Sequence, residues 1–188
     1  MKSYIQYIIL AIAVVACSPK IDTKISLNKV GPITAETTVN QLNVLFKSDS
    51  IVSRLSEGDL GDINAYVLDN DTHLIYNTKG ELSLSITPVN PLDSLSKIKS
   101  VTVFDKRYKT AKDIHVGSVF SELNMSHTIQ KLEASFHLVT VFVSDINGTI
   151  TLDKQTVGLK AFQLGEINKN QVPDSVPFTS FTIWFSEE

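Results

Sequence analysis

Two periods of hydrophobic spacing alternate along the chain. Residues 36–46 place Val39, Leu42, Leu45 and Phe46 at offsets 0, 3, 6 and 7. That spacing lays one apolar face on a short helix, with Thr34 or Thr37 available to cap it. The period then drops to two. Residues 63–68, 73–76 and 82–87 read as consecutive antiparallel strands, separated by the turn residues Asp69-Asn70-Asp71 and Thr78-Lys79-Gly80. Pro88 and Pro91 have no N–H to donate, so 88–93 cannot continue a ladder. A second unit follows. Residues 98–104 form a strand around Val101 and Val103, and 118–132 carry a broken helical face of Phe120, Leu123, His127 and Leu132. Residues 136–143 are a β-branched and aromatic strand, Asn147-Gly148 is a hairpin turn, and 149–152 is the return strand. Segments 157–162 and 178–185 complete the strands, and the polar, proline-containing 168–177 is a surface loop.

The pattern predicts an α+β protein, antiparallel β-meanders with two short helices. Its core is expected at Leu42, Leu45, Phe46, Tyr66, Leu74, Leu84, Ile86, Val101, Val103, Phe120, Leu123, Val139, Val141 and Phe142. The two units share a signature. Val30-Gly31 precedes Gln41-Leu42-Asn43, and Val116-Gly117-Ser118 precedes Glu122-Leu123-Asn124. In each, a glycine ends an extended segment before a helix and permits a turn that a side chain would obstruct. This reads as two similar halves, 29–90 and 91–188. Because the spacings differ, two independent strand–helix junctions are the alternative.

The first 16 residues stand apart from this pattern. Lys2 precedes an apolar run from Ile8 to Ala16 that ends in small residues, the form of a cleavable secretory signal. The run is about half the ~20 residues a spanning helix needs. Val14-Val15-Ala16-Cys17 resembles the bacterial lipobox, and Cys17 is the sole cysteine. The resemblance implies cleavage before Cys17 and acylation of that residue. Several acyl chains anchor far better than one, at ~0.8 kcal/mol per buried methylene. Cleavage leaves 172 residues. Ser18, where an aspartate would mark inner-membrane retention, implies the outer membrane, facing the periplasm. Residues 17–28 read as a lipidated tether and 29–188 as the globular domain.

Residues 98–123 run strand, polar loop, Val-Gly-Ser, short helix. With Gly31-Pro32-Ile33-Thr34, Ile86-Thr87-Pro88 and Ile183-Trp184, this resembles the RpoE-regulated lipoprotein family, which carries no known catalytic residues to transfer. The Val-Gly-Ser unit is also similar to the SmpA/OmlA and β-lactamase-inhibitor-protein fold, though no clear second helix follows Phe46.

Composition narrows the function classes. With 20 acidic and 17 basic residues and a net charge of −3, nothing favours nucleic acid. One cysteine forms neither an internal disulfide nor a multi-cysteine metal site. His73, His115, His127 and His137 show no metal-ligand spacing, and no nucleophile elbow or nucleotide loop is present. No cofactor or metal is expected. Asp69-Asn70-Asp71-Thr72 and Asp145-Ile146-Asn147-Gly148-Thr149 supply oxygens but lack the distant glutamate of a calcium loop, so they read as turns. No two histidines are expected to share a pocket. None is expected to have both a carboxylate and a Ser or Thr hydroxyl in hydrogen-bond reach. The one basic concentration is Lys97, Lys99, Lys106, Arg107, Lys109 and Lys112. It is a candidate contact for anionic headgroups or an acidic partner, or else a solvated strand edge. The expected function is a non-enzymatic binding or scaffolding module, joined to the membrane through its N-terminal lipid and to another envelope protein. An envelope hydrolase with an unrecognised site is the alternative.

Overall fold

The computed structural model describes residues 22–54 and 72–185. The signal, Cys17, the expected strand 63–68 with Tyr66 and the turn 69–71 lie outside the described residues. A small sheet is built from β1 (Lys24–Ser26), β2 (Lys29–Val30), β3 (Ile33–Thr34) and β8 (Lys109–Thr110), in the order β3-β2-β1-β8. The segment expected to be tether therefore enters the fold at Asp22. Ile25 is 2% exposed, between outward Lys24 and Ser26. It pairs antiparallel with Val30 and parallel with Thr110.

A nine-stranded sheet holds the rest. Its strands are β4 (Ser50–Arg54), β5 (Thr72–Tyr76), β6 (Leu82–Pro88), β7 (Ile98–Val103), β9 (Ile129–Ala134), β10 (Leu138–Val143), β11 (Gly148–Asp153), β12 (Gly165–Ile167) and β13 (Phe178–Trp184). The order is β12-β9-β10-β11-β13-β7-β6-β5-β4, antiparallel throughout. Two four-stranded meanders, β4 to β7 and β9-β10-β11-β13, thus meet edge to edge at β7 and β13. Each follows a short helix, α1 (Leu42–Leu45) or α2 (Phe120–Ser126). Pro88 to Asp93 lies inside the first meander, as the link between β6 and β7, so the change of meander falls after β7.

Alternation decides which face is buried. Leu84, Val103, Phe181, Ile150, Val141 and Leu132 form one row of directly paired residues across six strands, all buried. The neighbouring row, Ile86, Val101 and Ile183, is fully buried as well. The same core takes in Ile25, Val30 and Ile33 of the small sheet, Leu42 and Phe46 of α1, and Phe120 and Leu123 of α2. The opposite face carries hydroxyls, with Thr102 and Thr182 Oγ1 atoms 2.9 Å apart. At β5 and β6 this second face is buried as well, through Leu74, Ser83 and Ser85.

Several expectations are corrected. Neither Thr34 nor Thr37 caps the first helix. Thr37 Oγ1 accepts from the Thr34 N–H, and Thr38 is the N-cap of a 3-10 turn, Val39–Gln41, that leads into α1, its N–H donating to Gln41 Oε1 at 3.1 Å. The helix placed over 118–132 stops at Ser126. The Ser126 hydroxyl takes the Glu122 carbonyl at 2.6 Å, His127 is extended, and β-branched Ile129 starts a strand. Residues 157–162 are not a strand. A third helix, α3 (Lys154–Val157), ends at Gly158 with φ +83°. The loop 168–177 buries Val172 and Val176. Leu45 and Phe142 are half-buried, and Lys131 Nζ sits 4.5 Å over the Phe142 ring. Phe136 lies in a turn before β10, 67% exposed. Pro88 is the last residue of β6, at a register break where its missing N–H costs no bond. The β10–β11 turn uses Asn147 at φ +46°, with Gly148 already paired in β11.

Antiparallel pairing assigns the connections to two ends. The β6–β7 link, the β10–β11 turn and the C-terminal end of β13 share one end. The β5–β6 turn, the exit from β7, the β9–β10 turn and the β11–β13 connection share the other.

Candidate functional site

At the β6–β7 end a groove of about 450 Å³ is lined by Ala35, Val89, Ile98 and Phe185 together with Glu36, Asp93, Lys97 and Lys99. The loop walling it exposes Leu92 and Leu95, 73% and 68% accessible. The loop's shape is set locally. Asn90 Oδ1 accepts from Leu92 N–H, Asp93 Oδ1 accepts from Leu95 N–H, and Ser96 Oγ accepts from Asn90 N–H. With its backbone so satisfied, the loop holds its leucines outward. No histidine lines this groove, and its Lys97 pairs with Glu36 at 3.0 Å.

The six candidate cations do not form one surface. Lys97 and Lys99 stand at the groove just described. Lys106 and Arg107 line a second groove at the opposite end, with Glu81 and Asp105. Arg107 donates to Asp105 Oδ2 through Nε at 2.8 Å and through a terminal nitrogen at 2.6 Å. Burial of Asp105 opposes its charge, but the Arg107 bonds and the Ser83 hydroxyl outweigh it and hold the carboxyl below its usual range. Lys109 pairs with Asp113, and Lys112 bonds the Ser126 carbonyl and lies 3.7 Å from Asp145.

The histidines separate, but one breaks the second expectation. His127 Nδ1 lies 2.8 Å from Asp145 Oδ2, and its Nε2 lies 3.2 Å from Thr110 Oγ1. A hydroxyl, an imidazole and a carboxylate are therefore in line. The order matches a nucleophilic triad, and neither helix nor strand spacing foretold it, because the three come from β8, the end of α2 and the β10–β11 turn. Access is what a nucleophile needs and this hydroxyl lacks. Thr110 is 6% exposed, the His127 ring 3%, and neither of the two larger grooves includes them. Thr110 Oγ1 also accepts from the N–H groups of Lys112 and Ile114. Asp145 further accepts from the Thr128 N–H. Its burial opposes ionisation, yet the His127 and Thr128 bonds keep its pKa below the usual range. The set clamps the small sheet to the large one. His73 bonds Ser53 Oγ at 2.9 Å, and burial lowers its pKa. His115 Nδ1 contacts the Val116 carbonyl at 2.8 Å.

At the β9–β10 end Lys154 is 3% exposed. Its ammonium donates to the carbonyls of Ser135, Ala161 and Gln163 at 2.7, 2.9 and 2.7 Å. Around this centre Phe162, Phe136, Leu164 and Leu138 are 91, 67, 48 and 37% exposed. The sequence reading missed this cluster; its signal was the pair Phe-His-Leu and Phe-Gln-Leu, alternation with both apolar positions outward. Among the described residues no cluster of side chains could hold a metal ion.

No family model matches the chain, and no curated protein does. Among solved structures the chain is similar to the crystal structure of the uncharacterized protein yfeY from Escherichia coli. The TM-score is 0.55 at 15% identity, over 86% of this chain and 99% of that one. The two share a fold that takes in most of both meanders.

Proposed function

We propose that the chain is a lipid-anchored protein of the bacterial envelope, of the RpoE-regulated lipoprotein family, acting as a non-enzymatic binding module. The observation that carries the binding reading is the groove at the β6–β7 end, lined in part by Ala35, Val89, Ile98 and Phe185, with exposed Leu92 and Leu95 beside it. Exposed apolar surface held by a rigid loop suits partner recognition, and no imidazole lines it to do chemistry. The yfeY likeness supports the fold side of the family reading. The test is capture from envelope extracts with the intact lipoprotein as bait. A partner retained by the parent and lost with Leu92→Asp/Leu95→Asp supports the reading; equal capture by both argues against the groove.

A hydrolase is the second reading, favoured by Thr110, His127 and Asp145. Turnover of small ester substrates that disappears in His127→Ala and in Thr110→Val would establish it. Turnover unaffected by either variant removes it.

The anchor has its own test. Cys17→Ser is expected to abolish lipid labelling, and undiminished labelling overturns acylation at that residue.

A further inference from the structure

We propose that the β9–β10 end of the sheet is a second membrane contact, whose apolar tips enter the interfacial layer of the bilayer that holds the acylated Cys17. The proposal rests on the lipid-anchor reading and commits to a bilayer as occupant. Three observations carry it.

The first is what the end presents. Phe136, Leu138, Phe162 and Leu164 are exposed together because three carbonyls of the loops that bear them converge on one buried ammonium. Those backbone acceptors are turned inward and satisfied, so the outward surface is apolar without stranding polar groups in an apolar medium. The second is charge. Residues 135–138 and 154–165 carry one exposed cation, Lys160, and no carboxylate, Lys154 being buried on its three carbonyls, a balance that admits anionic headgroups. The nearest carboxylates are occupied or marginal: Asp153 caps α3, Glu133 pairs with Lys131, and Glu166 flanks the tips on β12.

The third is chain direction. β8 leads from the β7 exit, at this end, to Thr110, which meets His127 beside the start of β9 at the other. β1 runs parallel to β8, with Lys24 beside Lys109. The chain therefore enters β1 from the end that carries the apolar tips. Five residue steps from Cys17 to Asp22 span at most ~17 Å when fully extended. An acyl group on Cys17 thus brings this end to the bilayer and turns the β6–β7 groove away from it.

The test couples residues 17–188, which contain every described core residue, through their sole cysteine to a maleimide lipid. The vesicles are phosphatidylethanolamine and phosphatidylglycerol with brominated acyl chains as quencher. A Phe162→Trp variant reports the tip, and native Trp184, at the opposite end of the sheet, is the internal reference. The expected result is strong quenching in the Phe162→Trp protein and none in the parent. Adding Phe136→Asp/Leu164→Asp should abolish it with no change in Tm. Absence of quenching overturns the proposal, as does quenching that survives the double substitution. Concentration-dependent dimers dissolved by that substitution, without quenching, assign the tips to a second copy and also overturn it. Because the coupling is chemical, such failures leave biological acylation standing, and the labelling of Cys17→Ser decides that separately.

Discussion

Lys154 carries its charge in a site with three carbonyl oxygens and, among the described residues, no carboxylate in ion-pair reach. A buried ammonium is tolerated only when its donors are all used. Lys154→Met keeps the stem and strands three acceptors, so it should cost about 3 kcal/mol or more in denaturant unfolding, at ~1–3 kcal/mol per unsatisfied group. A loss under ~1 kcal/mol would mean water replaces the ammonium. The two junction glycines separate by the same reasoning. Both hold positive φ, +56° at Gly31 and +93° at Gly117. A methyl at Gly31 would also lie 2.7 Å from the Asp22 carbonyl oxygen and from the Tyr108 ring, whereas at Gly117 its nearest neighbour is a Lys106 carbon at 3.6 Å. Gly117→Ala should cost about 1–3 kcal/mol of backbone strain, and Gly31→Ala clearly more; equal losses in a thermal melt would show that the Gly31 contacts relax freely. His73 gives a pH effect. Burial lowers its pKa, so the folded state prefers the neutral ring. Its contribution is fully present above the ordinary histidine value of ~6.5 and is lost as pH falls through the lowered folded value. His73→Gln should flatten that part of the stability profile, and an unaltered slope would assign it to other groups.

At the scale of elements, legibility followed the length of the periodic run. β10 alternates outward and buried positions over all six residues, Leu82 to Thr87 of β6 alternate apolar and hydroxyl side chains, and β7 and β13 alternate over their C-terminal halves, so their sequences announce them. The errors fall where a distant group ends or bends an element. Helix α2 stops because His127 is held extended by Thr110 and Asp145, 17 and 18 residues away. Nothing in the local spacing of 118–132 encodes that clamp. The strand expected over 157–162 is apolar by composition, but Gly158 turns the chain at φ +83° and Lys154 holds the Ala161 carbonyl. The candidate cations were legible as residues and not as a surface: Asp105 and Asp113 pair locally with Arg107 and Lys109, but Glu36 and Asp145 reach Lys97 and Lys112 only in the fold. The clamp itself is testable. Asp145→Asn weakens the link to His127 and Thr128, and should raise hydrogen exchange at the start of β9 and in β8 before it affects β5 and β6. Uniform loss of protection would show that the clamp is not local.

For the whole molecule the question is whether two meanders behave as two folding units. Each has its own helix, which favours independence. Against this, the row from Leu84 through Val103, Phe181 and Ile150 to Leu132 crosses the β7–β13 seam without a polar break. The small sheet adds Ile25, Val30 and Ile33 to the same core, and β8 ties that sheet to His127 of the second meander. A cut at the seam would expose Val101, Val103, Phe181 and Ile183 together, each wholly buried now. At about 1.5–3 kcal/mol per fully buried apolar side chain, that exposure is comparable with the 5–15 kcal/mol that stabilises an ordinary domain. Neither half should therefore persist once the other opens. The expected outcome is a single cooperative transition, with hydrogen-exchange protection of β5 and β6 equal to that of β10 and β11 at their most protected amides. Phe181→Ala, at the seam, should lower both by the same amount, about 3–5 kcal/mol. Protection that falls in the second meander alone would show that the seam is a docking contact between two domains and not the middle of one core.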